Sequence, residues 1–238
     1  QTCALPIFQT DIINGYHCDR GFQVLLTAYP AAANQLDFKA LNLRFYESAA
    51  SIYKDGRIAS IGHPILFPKE ALSGFLGGVL TIKDAFILSR LVLRLRFMGS
   101  SKILKLSRSA EGQTELSQYL RGMGLSDSVI NAFLKPFFGG VLLDKNLVSE
   151  AWKFLYYLYF FATGPVAIPA LGMGEISKQL KSRLNQTKFL MNTRAVAVDA
   201  KSVRIDDGSV LEADYVITAL SERQTCRLNG QEEPPAMG

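Results

Sequence analysis

The chain has 238 residues, of which 48% are hydrophobic, enough for a sizeable core in one or two domains. Its net charge is +5, but basic and aromatic residues are not interleaved and no nucleic-acid-binding motif occurs, so nucleic acid is not expected as a partner. The three cysteines and two histidines lack the spacing of metal ligands, so no metal site is expected, and the cysteines fit a reducing, cytoplasmic location.

Residues 1–7, QTCALPI, match the translation of a common sequencing adapter, and we set them aside as an artefact. The segment that follows contains GYHCDRGFQVLLTAYP, in which an acid, a spacer and Gly-Phe-Gln precede an apolar stretch. These residues are Asp19, Gly21, Phe22 and Gln23.

The middle of the chain is predicted to be mostly helical from its periodic apolar positions. Helices are expected over residues 37–50, 83–98, 115–122, 126–138 and 150–162. Thr114 and Ser149 are predicted to cap the helices that follow them. Asp55-Gly56 predicts the turn of a hairpin between Tyr53 and Ile61.

The segment from Asp84 to Met98 mixes apolar positions with arginines, which is typical of a basic amphipathic helix. Such a helix can make a peripheral membrane contact, with its arginines reaching toward anionic headgroups. The alternative, which we favour, is a domain helix that packs one face on the core and leaves its arginines in water.

The segment from Trp152 to Phe161 reads WKFLYYLYFF. It is too short to span a bilayer, which needs about 20 apolar residues. Its aromatic side chains circle the helix, so we expect burial on most sides.

The C-terminal part carries three further patterns. PALGMGEI at residues 169–176 predicts a turn that opens a helix, and NTRAVAVD at residues 192–199 predicts a strand. The run from Lys201 to Leu220 predicts a hairpin that turns at Asp207-Gly208. The apolar stretch Tyr215-Val216-Ile217 then predicts a strand buried on both faces.

Five segments resemble, in order and spacing, flavin-dependent oxidoreductases of the amine oxidase and phytoene desaturase superfamily. They are the three C-terminal patterns, the segment around Gly21, and KPFFGGVLLDKNLVS at residues 135–149. The resemblance covers nearly the whole chain from Phe8 onward. The family's G-x-G-x-x-G motif and its C-terminal flavin segment do not occur here, so the resemblance implies an internal fragment, inactive in isolation.

An α/β (α+β) fold is what this resemblance implies. Residues 8–33 and 166–238 would be pieces of a split FAD-binding, Rossmann-like domain, and residues 34–165 a mostly helical substrate domain between them. FAD is the implied cofactor.

The resemblance also assigns site residues by position. The cofactor-binding residues would be Asp19, Gly21, Phe22, Gln23, Ala195, Thr218 and Ala219. Ala195 stands where the family usually has valine, and a register shift of one would make Val196 the contact instead. The substrate cavity would be lined by Phe137, Phe138, Tyr156 and Tyr159, although a core role for the aromatic helix is equally open.

The function implied is oxidation of a C–H or C–N bond of a small apolar molecule by hydride transfer to FAD. No Ser-His-Asp or paired-carboxylate arrangement is present, so catalytic side chains are unassigned. Two alternatives remain open: an FAD-dependent non-redox isomerase, and a non-catalytic, basic, membrane-associated helical scaffold.

Overall fold

The computed structural model describes residues 9–21, 24–46, 49–54, 56–62 and 68–234. The chain forms two compact units. We call residues 1–23 with 169–238 the discontinuous unit, and residues 24–168 the continuous unit.

The strands, in chain order, are short. They are β1 (Thr10–Ile13), β2 (Tyr16–Asp19), β3 (Leu25–Leu26), β4 (Leu43–Tyr46), β5 (Ala49–Lys54), β6 (Arg57–Gly62), β7 (Val166–Pro169), β8 (Ala195–Val198), β9 (Ser202–Ile205) and β10 (Val210–Glu212).

The helices lie mainly between β6 and β7. They are α1 (Pro30–Gln35), α2 (Pro68–Leu76), α3 (Ile82–Met98), α4 (Ser100–Lys105), α5 (Ala110–Gln113), α6 (Leu116–Gly122), α7 (Asp127–Val129), α8 (Lys135–Val141), α9 (Ala151–Thr163), α10 (Gly174–Ser182) and α11 (Glu222–Leu228). A 3-10 turn covers Leu106–Arg108, and a π-helical segment, Ile130–Leu134, joins α7 to α8. The α/β (α+β) class predicted from the sequence is therefore confirmed.

The discontinuous unit contains two antiparallel sheets. Strands β1 and β2 pair with each other, and a second sheet has the order β10-β9-β8. The predicted hairpin turn is present: Gly208 has φ +87°, and the Asp207 carboxylate accepts hydrogen bonds from the backbone N–H and hydroxyl of Ser209. Gly172 and Met173 precede α10, as the PALGMGEI pattern predicts for a turn that opens a helix.

The predicted buried strand at Tyr215-Val216-Ile217 is wrong. These residues are irregular, and Tyr215 and Ile217 are 87% and 90% exposed. A strand forms only where a neighbour offers a hydrogen-bonding edge, and within the described residues no strand pairs with this segment. The apolar composition alone therefore does not produce a strand here.

The core of the continuous unit surrounds α9, against which α3, α4, α5 and α6 pack. Its fully buried side chains include Leu95, Ile103, Leu116, Leu120, Phe154 and Leu155. Burying side chains of this size stabilises the fold by about 1.5–3 kcal/mol each. The aromatic helix predicted over residues 150–162 is confirmed as the centre of this unit.

The helix predicted over residues 37–50 is wrong. Turns occupy residues 38–42, where the Asp37 side chain accepts a hydrogen bond from the Ala40 N–H and Asn42 has φ +48°. Strand β4 follows and lies beside β7 in the sheet β3-β7-β4. Pairing with a strand distant in sequence overrides the local helical pattern.

The predicted hairpin between Tyr53 and Ile61 is confirmed by the antiparallel pairing of β5 with β6. Gly56, with φ +77°, lies in its turn, and Asp55 falls outside the described residues.

Two predicted helix caps are wrong. The residues at the N-cap positions of α6 and α9 are Glu115 and Glu150, not Thr114 and Ser149, and neither glutamate caps with its side chain. Instead, each helix start donates a backbone hydrogen bond to a carbonyl that precedes the other helix. The Leu116 N–H donates to the Ser149 carbonyl at 2.9 Å, and the Ala151 N–H donates to the Thr114 carbonyl at 2.9 Å.

Asp84 is a buried carboxylate that joins two helix starts. Its Oδ2 accepts from the backbone N–H and hydroxyl of Thr81 (2.9 and 2.6 Å), which completes a capping box on α3. At the start of α7, the backbone N–H of Ser126 donates to Asp84 Oδ1 and the Ser126 hydroxyl donates to Asp84 Oδ2, both at 2.7 Å. Burial raises the pKa of Asp84, but these hydrogen bonds outweigh it and hold the pKa below its ordinary value.

We expect Asp84→Asn to destabilise the protein by about 2–4 kcal/mol, because an amide turns a donor toward groups that themselves donate. The cost should be constant above about pH 5 and should shrink as the pH falls through the ordinary pKa of an unfolded Asp and then through the lowered pKa of Asp84, where the native carboxylate also loses its charge. Chemical denaturation at several pH values measures this. Asp127→Asn, an exposed change in the first turn of α7, is the control, and equal losses for both variants would contradict the role of Asp84.

Candidate functional site

The segment that leads to Gly21 is a tight hairpin. Strands β1 and β2 pair in the register Ile13↔Tyr16 and Thr10↔Asp19. The two residues between them, Asn14 and Gly15, have φ +51° and +85°, as the hairpin turn with two left-handed residues requires.

The last residue of β2, Asp19, is bound by the start of α10. Its Oδ1 accepts from the Thr10 hydroxyl and, at 2.9 Å, from the backbone N–H of Met173. The Thr10 hydroxyl in turn accepts from the backbone N–H of Gly174 at 2.9 Å. Two N–H groups that a helix start leaves unsatisfied are thus bound by side chains of the hairpin.

Gly172 permits this close approach. It has φ +89°, and a Cβ there would lie 2.9 Å from Asp19 Oδ1 and closer still to the side chain of Thr10. A glycine is therefore needed at this position for both its backbone conformation and its lack of a side chain.

Arg20 lies on the exposed side of the hairpin. Its guanidinium donates to both carboxylate oxygens of Asp11, at 2.8 and 3.2 Å, and its backbone N–H donates to the Gln9 carbonyl. The hydrogen bond from Arg20 lowers the pKa of Asp11. Since both groups are exposed, this pair stabilises the hairpin only modestly.

Gly21 follows directly and has φ +81°. A Cβ at Gly21 would meet no protein atom of the described residues within 4 Å. Among the described residues, the space beside this backbone is therefore open. Phe22 and Gln23 lie outside the described residues.

The other predicted cofactor contacts lie in two places of the same unit. Ala195 begins β8 opposite Ile205, and a bulge separates it from Ala197. Thr218 and Ala219 precede α11, whose N-cap Ser221 forms a capping box with Gln224, and α11 packs against β8.

The predicted substrate-cavity residues all lie in the continuous unit. Phe138 is buried in its core, with its ring 4.6 Å from that of Phe154 and 5.1 Å from that of Phe137. Tyr156 and Tyr159 are half-buried and contact Phe160 edge-on, with ring centroids 4.8 and 5.0 Å apart. The structure thus divides the four residues between two aromatic clusters, one on α8 and α9 and one on α9 that also includes Tyr29.

An open groove of about 660 Å³ lies beside α8. Its lining includes Asn131, Lys135, Pro136, Gly139, Gly140, Leu143 and Lys145, none of which the sequence predicted as a site residue.

The role of Thr10 was missed from the sequence, as was that of Met173 and Gly174. The signal available was weak: a threonine before the hairpin and a Gly-Met-Gly turn before a helix, with more than 150 residues between them. Within the described residues, no cluster of His, Cys, Asp and Glu side chains could hold a metal ion.

The sequence profile of the flavin-containing amine oxidoreductases matches residues 8–224. The match spans most of the chain, so the chain belongs to this family, and the prediction of FAD as its cofactor is confirmed. None of the curated proteins matches the chain.

Solved structures of putrescine oxidase share the fold. The wild-type enzyme bound to putrescine superposes with a TM-score of 0.60 at 17% identity, over 94% of this chain and 52% of that one. A double mutant of the same enzyme gives a TM-score of 0.58 at 18% identity, over 97% of this chain and 53% of that one. The chain therefore spans about half the length of these structures.

We expect Gly172→Ala to loosen the contact between the hairpin and α10. The Cβ would overlap Thr10 and Asp19, which adds about 1–3 kcal/mol to the cost of a side chain at positive φ. Gly208→Ala is the matched control, because Gly208 has nearly the same φ, +87°, and open space around it. Thermal unfolding compares the two variants, and equal midpoints would contradict a tight contact at Gly172.

Proposed function

We propose that this protein oxidises a C–N or C–H bond of a small apolar molecule. The observation that carries the proposal is the family match over residues 8–224, together with a hairpin that presents Gly21 beside open space. Bound FAD would supply the redox chemistry by accepting a hydride from the substrate.

In this proposal the chain's own residues position the cofactor. The carboxylate of Asp19 holds the hairpin against the start of α10, which sets the path of the backbone into Gly21. Gly21, with Phe22 and Gln23 after it, would lie against the flavin, and Ala195, Thr218 and Ala219 would contact the rest of the dinucleotide. The 238-residue chain by itself is proposed to be inactive, so the activity and FAD-binding tests below use the longer parent protein that contains it.

The aromatic clusters favour an apolar substrate. Rings of α8 and α9 pack edge-on against one another, and the ring of Tyr29 lies 4.3 Å from that of Phe160. A lining of aromatic side chains such as these would receive an apolar or weakly polar group.

The reaction is tested by mixing the flavin-loaded protein, without oxygen, with a panel of amines and a panel of polyenes. Bleaching of the visible flavin band by a member of either panel would support the proposal and identify the bond type. Product formation with the flavin band unchanged would show a non-redox isomerisation. No bleaching and no product with either panel would overturn the proposal.

The position of Gly21 beside the flavin is tested by comparing Gly21, which follows the β1–β2 hairpin, with Gly15 in its turn. We expect Gly21→Ala to weaken FAD binding at least about tenfold, because the added Cβ would fill the space that the ring needs. Gly15→Ala should leave binding unchanged, although Gly15 has the same strain (φ +85°) and the same open surroundings. The flavin-to-protein ratio and the dissociation constant for FAD measure this, and equal losses for the two variants would remove Gly21 from the site.

A further inference from the structure

One face of α3 is apolar and exposed. Ile82, Phe86, Leu93 and Phe97 are exposed by 82%, 69%, 56% and 81%. At 3.6 residues per turn these positions fall on one line along the helix. We call these four side chains the α3 stripe.

The stripe does not serve the core. Leu91 and Leu95, which α3 buries, lie on the opposite side of the helix. The helix therefore packs one side on the core and exposes, on the other side, an apolar line of roughly 22 Å at 1.5 Å per residue. Exposed apolar side chains grouped in one line are typical of a surface that contacts a protein or a membrane.

The surroundings of the stripe are strongly basic. Between residues 82 and 108 the sequence has seven basic residues and one acid, an excess of six positive charges, whereas the whole chain has a net charge of +5. Exposed among them are Lys83, Arg90, Arg96, Lys102, Lys105 and Arg108.

The carboxylate of this region, Asp84, and the next one along the chain, Glu111, already have hydrogen-bond partners. Asp84 is buried and bound by Thr81 and Ser126. Glu111 accepts two hydrogen bonds from Arg94, at 2.6 and 2.7 Å, which lower its pKa. Within the described residues, no acidic side chain pairs with Arg90 or Arg96, the arginines nearest the stripe.

An apolar line flanked by arginines that pair with no acid of the described residues matches the chemistry of an anionic lipid surface. Lipid chains receive the phenylalanines, and headgroup phosphates receive the guanidinium groups, whose aliphatic stems lie along the apolar side chains. A nucleic acid offers the phosphates but no apolar phase for this line of side chains.

We propose that α3 docks the protein on an anionic membrane surface, parallel to the bilayer, with Phe86 and Phe97 inserted below the headgroups and Arg90 and Arg96 at the phosphates. This is a peripheral contact: within the described residues, no helix is long and apolar enough to cross a membrane. The inference does not depend on the proposed oxidation, because docking requires neither FAD nor turnover.

Sedimentation of the purified protein with sucrose-loaded vesicles tests the proposal. One set of vesicles is phosphatidylcholine alone, and the other is equal parts phosphatidylcholine and phosphatidylglycerol. We expect binding to the anionic vesicles that weakens as salt is added. The double variant Phe86→Ser with Phe97→Ser should bind these vesicles at least about tenfold more weakly. Arg90→Ser with Arg96→Ser should reduce the preference for anionic over neutral vesicles.

The matched control is Tyr53→Ser with Ile58→Ser, which removes two side chains of similar exposure, 77% and 73%, from the β5–β6 hairpin. Its vesicle binding should equal that of the parent. The proposal is overturned if the parent does not bind anionic vesicles, or if the control loses as much binding as the stripe variant. Light scattering that shows an oligomer which only the stripe variant disrupts, without vesicle binding, would make the stripe a protein interface and also overturn it.

Discussion

The N–H groups at the start of α10 are the constraint on which the discontinuous unit depends. No side chain at the N-cap position of this helix satisfies them, and they are met instead by Asp19 and Thr10, 154 and 164 residues earlier in the chain. A buried N–H without a partner costs about 1–3 kcal/mol, so the hairpin and the helix start are stable mainly as a pair. Asp19, whose carboxylate accepts from the start of α10, is also the last residue of β2 and lies two residues before Gly21. The path of the proposed flavin-binding backbone is thus set by a structural hydrogen bond.

In the continuous unit, the N–H groups at helix starts are bound in two ways. Asp84 accepts from Thr81 at the start of its own helix, α3, and from Ser126 at the start of α7, 42 residues later in the chain. The starts of α6 and α9 exchange backbone hydrogen bonds, so neither needs a capping side chain. These contacts hold α3, α6, α7 and α9 around one core, and the outer face of α3 is exposed.

The two faces of α3 explain why its sequence pattern allowed more than one interpretation. Apolar residues at Leu91 and Leu95 complete the core, whereas those at Phe86 and Phe97 face outward. Both sets are apolar, so composition does not separate them. Only the packing of α4 and α9 on one side of the helix decides which set remains available for a partner.

Local chemistry determined much of this protein from the sequence: helices α3, α6 and α9, the turns at Gly56 and Gly208, the strand at Ala195 and the order of motifs that marks the family. Each of these depends on neighbours within a few residues, where periodicity and turn preferences act. The tertiary structure decided the rest. Residues 43–46 became a strand because β7 offers an edge, and Tyr215 to Ile217 did not because none of the described strands pairs with them. The hydrogen bonds of Asp19, and the exposure of the α3 stripe, depend on groups far apart in the chain, and no local pattern encodes which distant N–H or side chain will be near.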